Sequence, residues 1–206
     1  MARPRAADHD EHRERILAQA VHAFAQLGYP SATMADLAHA CGLSKAALYH
    51  YFPGKEALLQ EALERHTARL LATCDAVAAR GLPPAQALRA LVRALLADYR
   101  DSRDHHAALI NDVRFLEAPA REAIRAQERA VVGRVADAID AAFPGRVPPA
   151  QRTPTTMALL GMINFTFAWL RPDGPMSYER FADLVVDLWW RGLAGDAPRD
   201  SMETQG

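Results

Sequence analysis

Residues 33–59 read TMADLAHACGLSKAALYHYFPGKEALL. Thr33 offers a side-chain oxygen suited to capping a helix, and Asp36 three residues on suits the positive helix end. Met34, Leu37, Ala38 and Cys41 then share one face of a short helix, and Gly42 sits where a left-handed cap would end it. Leu43 packs in the turn. Ser44 caps a further helix to about Tyr51, which Pro53 and Gly54 close. Two short helices joined by a tight glycine turn match a helix-turn-helix, here running from about Thr33 to Phe52, whose later helix enters the DNA major groove.

The flanks fit this reading. From Glu11 to Leu27, Ile16, Leu17, Ala20, Val21, Phe24 and Leu27 recur at three- and four-residue steps, one buried helical stripe ended by Gly28. After Lys55 a long helix is expected to about Arg80. Gly81, Leu82, Pro83 and Pro84 break it, and Pro84 is placed like an N1 proline for a helix to about Tyr99. A weaker segment covers His105 to Leu116, and a helix follows from Pro119 to about Phe143. Residues 144–154 read as a proline-rich loop, followed by helices over Thr155–Leu170 and Tyr178–Leu193. Strand-like alternation and internal repeats are absent from the sequence.

These elements predict an all-α chain with a helix-turn-helix domain over residues 9–54 and a second helical domain over 55–195. Residues 1–8 and 196–206 are expected to be disordered and outside the fold. No apolar run reaches the roughly 18 residues that span a bilayer, so a cytoplasmic protein with no membrane partner is expected. Cys41 and Cys74 show no metal or redox spacing and read as small core residues. No metal site is expected, because His9 and His12 lie in or beside the N-terminal arm and His105-His106 reads as a solvated turn. Nucleotide-binding and hydrolase signatures are missing, so no catalytic residues and no cofactor are assigned.

The formal charge is −1, and residues 1–60 balance six basic against six acidic side chains. This excludes a charge-driven, non-specific nucleic-acid binder. Only two of the 24 basic residues are lysines, Lys45 and Lys55, and both fall in the motif. Lys45 can donate to a guanine edge or a phosphate, and Tyr49 and His50 to phosphate. Ala46 and Ala47 allow close approach. Thr33 and Lys55, each at the start of a helix, can meet phosphate, while Leu48 and Phe52 face inward.

The stretch from Thr33 to Leu59, with the first helix ending in Phe24, Gly28 and Tyr29, resembles the DNA-binding motif of the TetR/AcrR family of bacterial regulators. The resemblance covers about residues 12–60. It implies a double-stranded DNA operator as partner and a DNA-facing set of Thr33, Ser44, Lys45, Ala46, Ala47, Tyr49, His50, Tyr51 and Lys55. Relatives often have Gly at position 46 and Thr or Ser at 47, so Ala47 lacks a hydroxyl that would bond phosphate. Arg3 and Arg5 in the arm are candidates to compensate.

The resemblance also implies that the second domain forms a homodimer and holds a small-molecule effector. The apolar residues of 155–170 and 178–193 make those helices the expected dimer interface. Asn111, Arg114, Phe115, Asn164, Phe165 and Trp169 are the candidate effector-binding residues. Residues 111–115 and 163–174 are similar to those of a subgroup responding to acyl-coenzyme A thioesters. That similarity implies an acyl-CoA effector, with Arg114, Arg121 or Arg125 meeting its phosphates and Phe115, Phe165 and Trp169 its acyl chain. A repressor responding to a different hydrophobic molecule, a helical interaction protein without DNA binding, and a small helical enzyme stay open as alternatives.

Overall fold

The computed structural model describes residues 3–194, and every regular element among them is helical. Three helices, α1 (Arg3–Leu27), α2 (Met34–Ala40) and α3 (Lys45–Tyr51), form the N-terminal unit. The long α4 (Lys55–Ala78) leads into α5 (Pro84–Asp101), α6 (Arg103–Asp112) and a 3₁₀ turn over Val113–Phe115. After α7 (Ala118–Ala142) and a second 3₁₀ turn over Pro149–Gln151 come α8 (Arg152–Asn164), α9 (Thr166–Trp169) and α10 (Tyr178–Ala194).

One apolar core runs through both units. Leu17, Phe24, Leu37, Leu48 and Phe52 fill the first, and Leu63, Leu88, Leu95, Ile139 and Ile163 continue it through the second. Helix α4 makes this continuity possible, because its 24 residues span about 36 Å and pack on α1 at one end and on α5 and α7 beyond. Arg13 fastens the junction. Its guanidinium makes a bidentate pair with Glu61 at 2.7 and 2.5 Å, donates to the Tyr51 carbonyl at 3.2 Å and lies 4.2 Å over the Phe52 ring. The pair holds the Glu61 carboxyl below the usual carboxylate range.

Four expectations are corrected. The first helix begins at Arg3 rather than near Glu11, so residues 3–8 are helical; Pro4 lies in the first turn, where no intrahelical donor is needed. The proline-rich loop is shorter than read, since Pro154 likewise falls in the first turn of α8. The helix expected over Thr155–Leu170 breaks at Phe165, where ψ is 12° and the Thr166 hydroxyl donates back to the Ile163 carbonyl at 2.8 Å. His105 and His106 lie within α6, with His106 buried, instead of in a solvated turn. The expectation for 196–206 concerns residues outside those described. Cys74 is buried as expected, and Cys41 is half-buried.

Candidate DNA interface and effector cavity

The α2–turn–α3 unit is built by local chemistry. The Thr33 hydroxyl accepts from the Asp36 N–H at 3.3 Å while the Asp36 carboxylate accepts from the Thr33 N–H at 2.9 Å, a reciprocal cap that holds the Asp36 carboxyl below its ordinary range. At the far end Gly42 adopts φ +65°, and the N–H groups of Leu43 and Gly42 return to the carbonyls of Ala38 and His39 at 2.9 and 3.0 Å. The turn therefore needs a glycine. Ser44 accepts from the Ala47 N–H at 3.1 Å and starts α3.

Helix α3 buries Leu48, with Phe52 just beyond it, and turns Lys45, Ala46, Tyr49 and His50 to solvent. Tyr49 is 46% exposed, unusual for a large aromatic unless something else covers it. The Lys45 ammonium lies 6.0 Å from its ring centroid. Ala47 and Tyr51 are half-buried, Tyr51 against His9 and His12 of α1 at 5.5 and 5.4 Å. Thr33 and Ser44 are exposed caps, their oxygens already engaged within their own helix ends.

Lys55 is placed differently from the sequence reading. Its ammonium donates to the carbonyls of Tyr29, Pro30 and Ala32 at 2.8, 3.0 and 2.9 Å and sits 4.7 Å over the Tyr29 ring. All three donors are thus engaged with the loop between α1 and α2. Lys55 clamps the loop between α1 and α2.

In the second unit, α4 to α8 line a cavity of about 450 Å³. Leu70, Leu109, Val131, Val132 and Leu160 supply apolar wall, and Tyr99, His106 and Asn164 supply polar groups. Arg125, Glu128 and Arg129 lie along one side on α7, at helical spacing. The Tyr99 hydroxyl donates to Asn164 Oδ1 at 3.1 Å, and its ring stacks on His106 with centroids 3.7 Å apart. Burial pushes His106 down to about 4 and, with neighbouring positive charge, His66 down to about 2. His106 Nε2 is buried without a hydrogen-bond partner, a situation that costs about 1–3 kcal/mol.

Of the expected effector-binding residues only Asn164 lines this cavity. Asn111 is exposed, Phe115 stacks on Tyr29, and the Arg114 guanidinium lies 4.9 Å over the Phe115 ring. Phe165 and Trp169, at 52% and 53% exposure, lie outside the cavity, at the break after α8 and at the end of α9. Arg121 donates to the Leu116 carbonyl at 3.1 Å and closes the 3₁₀ turn, leaving Arg125 as the one of the three proposed phosphate partners at the cavity. Sequence reading missed Tyr99, His106 and Arg129. A larger cleft of about 610 Å³ between α5 and α10 touches no N-terminal residue, and its Arg89 and Arg93 are paired with Asp183 and Asp187.

A capped helix-turn-helix with an exposed polar face on its second helix, joined to a helical unit holding a cavity, defines a DNA-binding transcriptional regulator. Residues 16–62 match the model for bacterial regulatory proteins of the tetR family, and 81–193 that for the tetracyclin repressor-like C-terminal domain. The chain belongs to the TetR family. It is similar to a TetR-family transcriptional regulator from Bordetella parapertussis, with 32% identity, a TM-score of 0.84 and coverage of 90% of this chain and 97% of that one. The structure of AibR in complex with isovaleryl coenzyme A and operator DNA aligns at 25% identity and a TM-score of 0.75, over 86% and 97% of the two chains. The transcriptional activator FasR of Mycolicibacterium smegmatis is 26% identical over 191 residues, 90% of this chain and 84% of that one. A further match, to a Bacillus subtilis regulator, spans only 36% of that relative's length.

Proposed function

We propose that the chain is a homodimeric repressor that a small effector, an acyl-coenzyme A thioester, releases from a palindromic operator. The observation that carries this reading is the position of α6, shared by cavity and DNA-binding unit. His106, Leu109 and Ile110 of α6 line the cavity. The same helix is tied to α1 by Asp104 and His22 at 2.8 Å, and the turn after it sets Phe115 on Tyr29. A ligand that moves α6 therefore acts on the loop that Lys55 clamps. The shift it produces is limited by its differential affinity for the two arrangements.

Homodimerisation has support from the outward apolar residues Phe165, Trp169, Leu184 and Leu188, the last two a helical turn apart on α10. A second copy would cover them. Two recognition helices about 34–36 Å apart would then enter successive major grooves. The acyl-CoA class is supported by the likeness to AibR, by the apolar wall of Leu70, Leu109, Val131 and Leu160, and by Arg125 and Arg129 beside it.

The test is an electrophoretic shift with DNA from upstream of the chain's own gene. Wild type should bind it in preference to scrambled DNA at moderate salt, Lys45→Ala and Tyr49→Ala should bind it weakly, and octanoyl-CoA should release it. Equal binding to scrambled DNA would overturn the DNA reading. Unchanged binding with octanoyl-, long-chain and benzoyl-CoA, each at about 1 mM, would remove the acyl-CoA class.

A further inference from the structure

The hydrogen-bond network around the cavity fixes which protons its polar groups present. Arg69 donates to His66 Nδ1 at 3.1 Å, and a guanidinium has no acceptor, so that nitrogen is bare and neutral His66 carries its proton on Nε2. His66 Nε2 meets His106 Nδ1 at 3.3 Å, which places the proton of neutral His106 on Nε2. Both rings are held neutral by burial. His106 is 2% exposed, and although its ring feels the Asn164 backbone carbonyl, no acceptor lies in hydrogen-bonding geometry with Nε2. Asn164, which lines the cavity, receives the Tyr99 hydroxyl on Oδ1, and its NH₂ group donates to none of the described residues.

Among the described residues, His106 Nε2 and the Asn164 NH₂ group thus have no hydrogen-bond acceptor, and both residues line the cavity next to Leu109, Val131 and Leu160. We propose that the effector carries a carbonyl or carboxylate oxygen accepting from Asn164 Nδ2 and His106 Nε2, with its apolar chain along Leu109, Val131 and Leu160. The proposal rests on this cavity being the effector site, and it selects among effectors by chemistry: acceptor-bearing acyl compounds over amines and hydrocarbons of the same shape.

Calorimetric titration of the full-length protein with four probes tests this: octanoyl-CoA, the S-octyl-CoA thioether that lacks the carbonyl, octanoate and octylammonium. Octanoyl-CoA should bind at least about tenfold more tightly than the thioether, and octanoate more tightly than octylammonium. Asn164→Asp keeps the Tyr99 bond and turns the free group into an acceptor; His106→Phe keeps the stack on Tyr99. Each should reduce the octanoyl preference to about twofold or less, with thermal unfolding confirming the fold. Equal binding of octanoyl- and S-octyl-CoA would overturn the acceptor proposal while leaving the CoA reading intact. Octanoate binding with neither CoA compound binding would remove the CoA reading and sustain the acceptor. No saturable binding by any probe, or an undiminished preference in both variants, would overturn the proposal.

Discussion

The Phe115 ring stacks on the Tyr29 ring, centroids 5.2 Å apart and planes 22° from parallel. Phe115 follows the helix that lines the cavity, and Tyr29 follows the helix that supports the helix-turn-helix. Tyr29 also packs on Phe24 at 5.0 Å and gives its carbonyl to Lys55. This contact joins the half that holds the cavity to the half that holds the helix-turn-helix.

Phe115→Ala should therefore weaken coupling more than folding. The lost stack is worth about 0.5–1.5 kcal/mol, so melting should shift by only a few degrees. The ratio of operator affinities with and without effector, read by fluorescence anisotropy, should fall several-fold towards one.

Lys55→Met removes a cation bonded to three carbonyls. We expect a loss of about 2–3 kcal/mol in chemical unfolding, given about 1.5–3 kcal/mol for a hydrogen bond to a charged group and incomplete additivity. Lys55 does not pair with phosphate in this account, so the salt dependence of the remaining DNA binding should be unchanged.

Lys45→Ala should show the opposite pattern. Lys45 is exposed on α3 and free to meet DNA. Stability should hold within about 0.5 kcal/mol, while the slope of log affinity against log salt becomes shallower by about 0.9 per protomer. The comparison of positions 45 and 55 separates a contact from a clamp.

The helix-turn-helix was legible from Thr33, Gly42 and Ser44, because caps and a positive-φ turn are specified by local chemistry. The inward Leu48 and outward Tyr49 followed from helical spacing. Effector residues were harder. Phe165 and Trp169 share the apolar character of core residues, and nothing local announces the break after α8. The cavity is assembled from five helices, so Tyr99, His106 and Arg129 meet only through tertiary packing. The clamp made by Lys55 was not legible for a related reason: its partners are backbone carbonyls, which sequence does not display.

His66 and His106 make stability depend on pH. Their folded values, about 2 and about 4, lie below the ordinary 6.5, so the unfolded chain binds more protons below that pH. Their contribution is present above pH 6.5 and is lost as pH falls below it towards the folded values. Burial raises the Asp112 and Glu128 carboxyls, which act in the reverse sense. Unfolding measured at pH 7 and pH 5 should show a drop that shrinks in a His66→Gln, His106→Phe double variant.

Occupancy of the α4–α8 cavity is expected to weaken the grip of α3 on DNA. The most direct measurement is the operator affinity of the wild-type protein, at one fixed salt concentration, with and without saturating octanoyl-CoA, paired with the affinity for octanoyl-CoA on and off the operator. Linkage requires the same factor in both directions, and a factor of about 5–150 is expected. An operator affinity unchanged by a ligand shown to bind in the cavity would contradict the account.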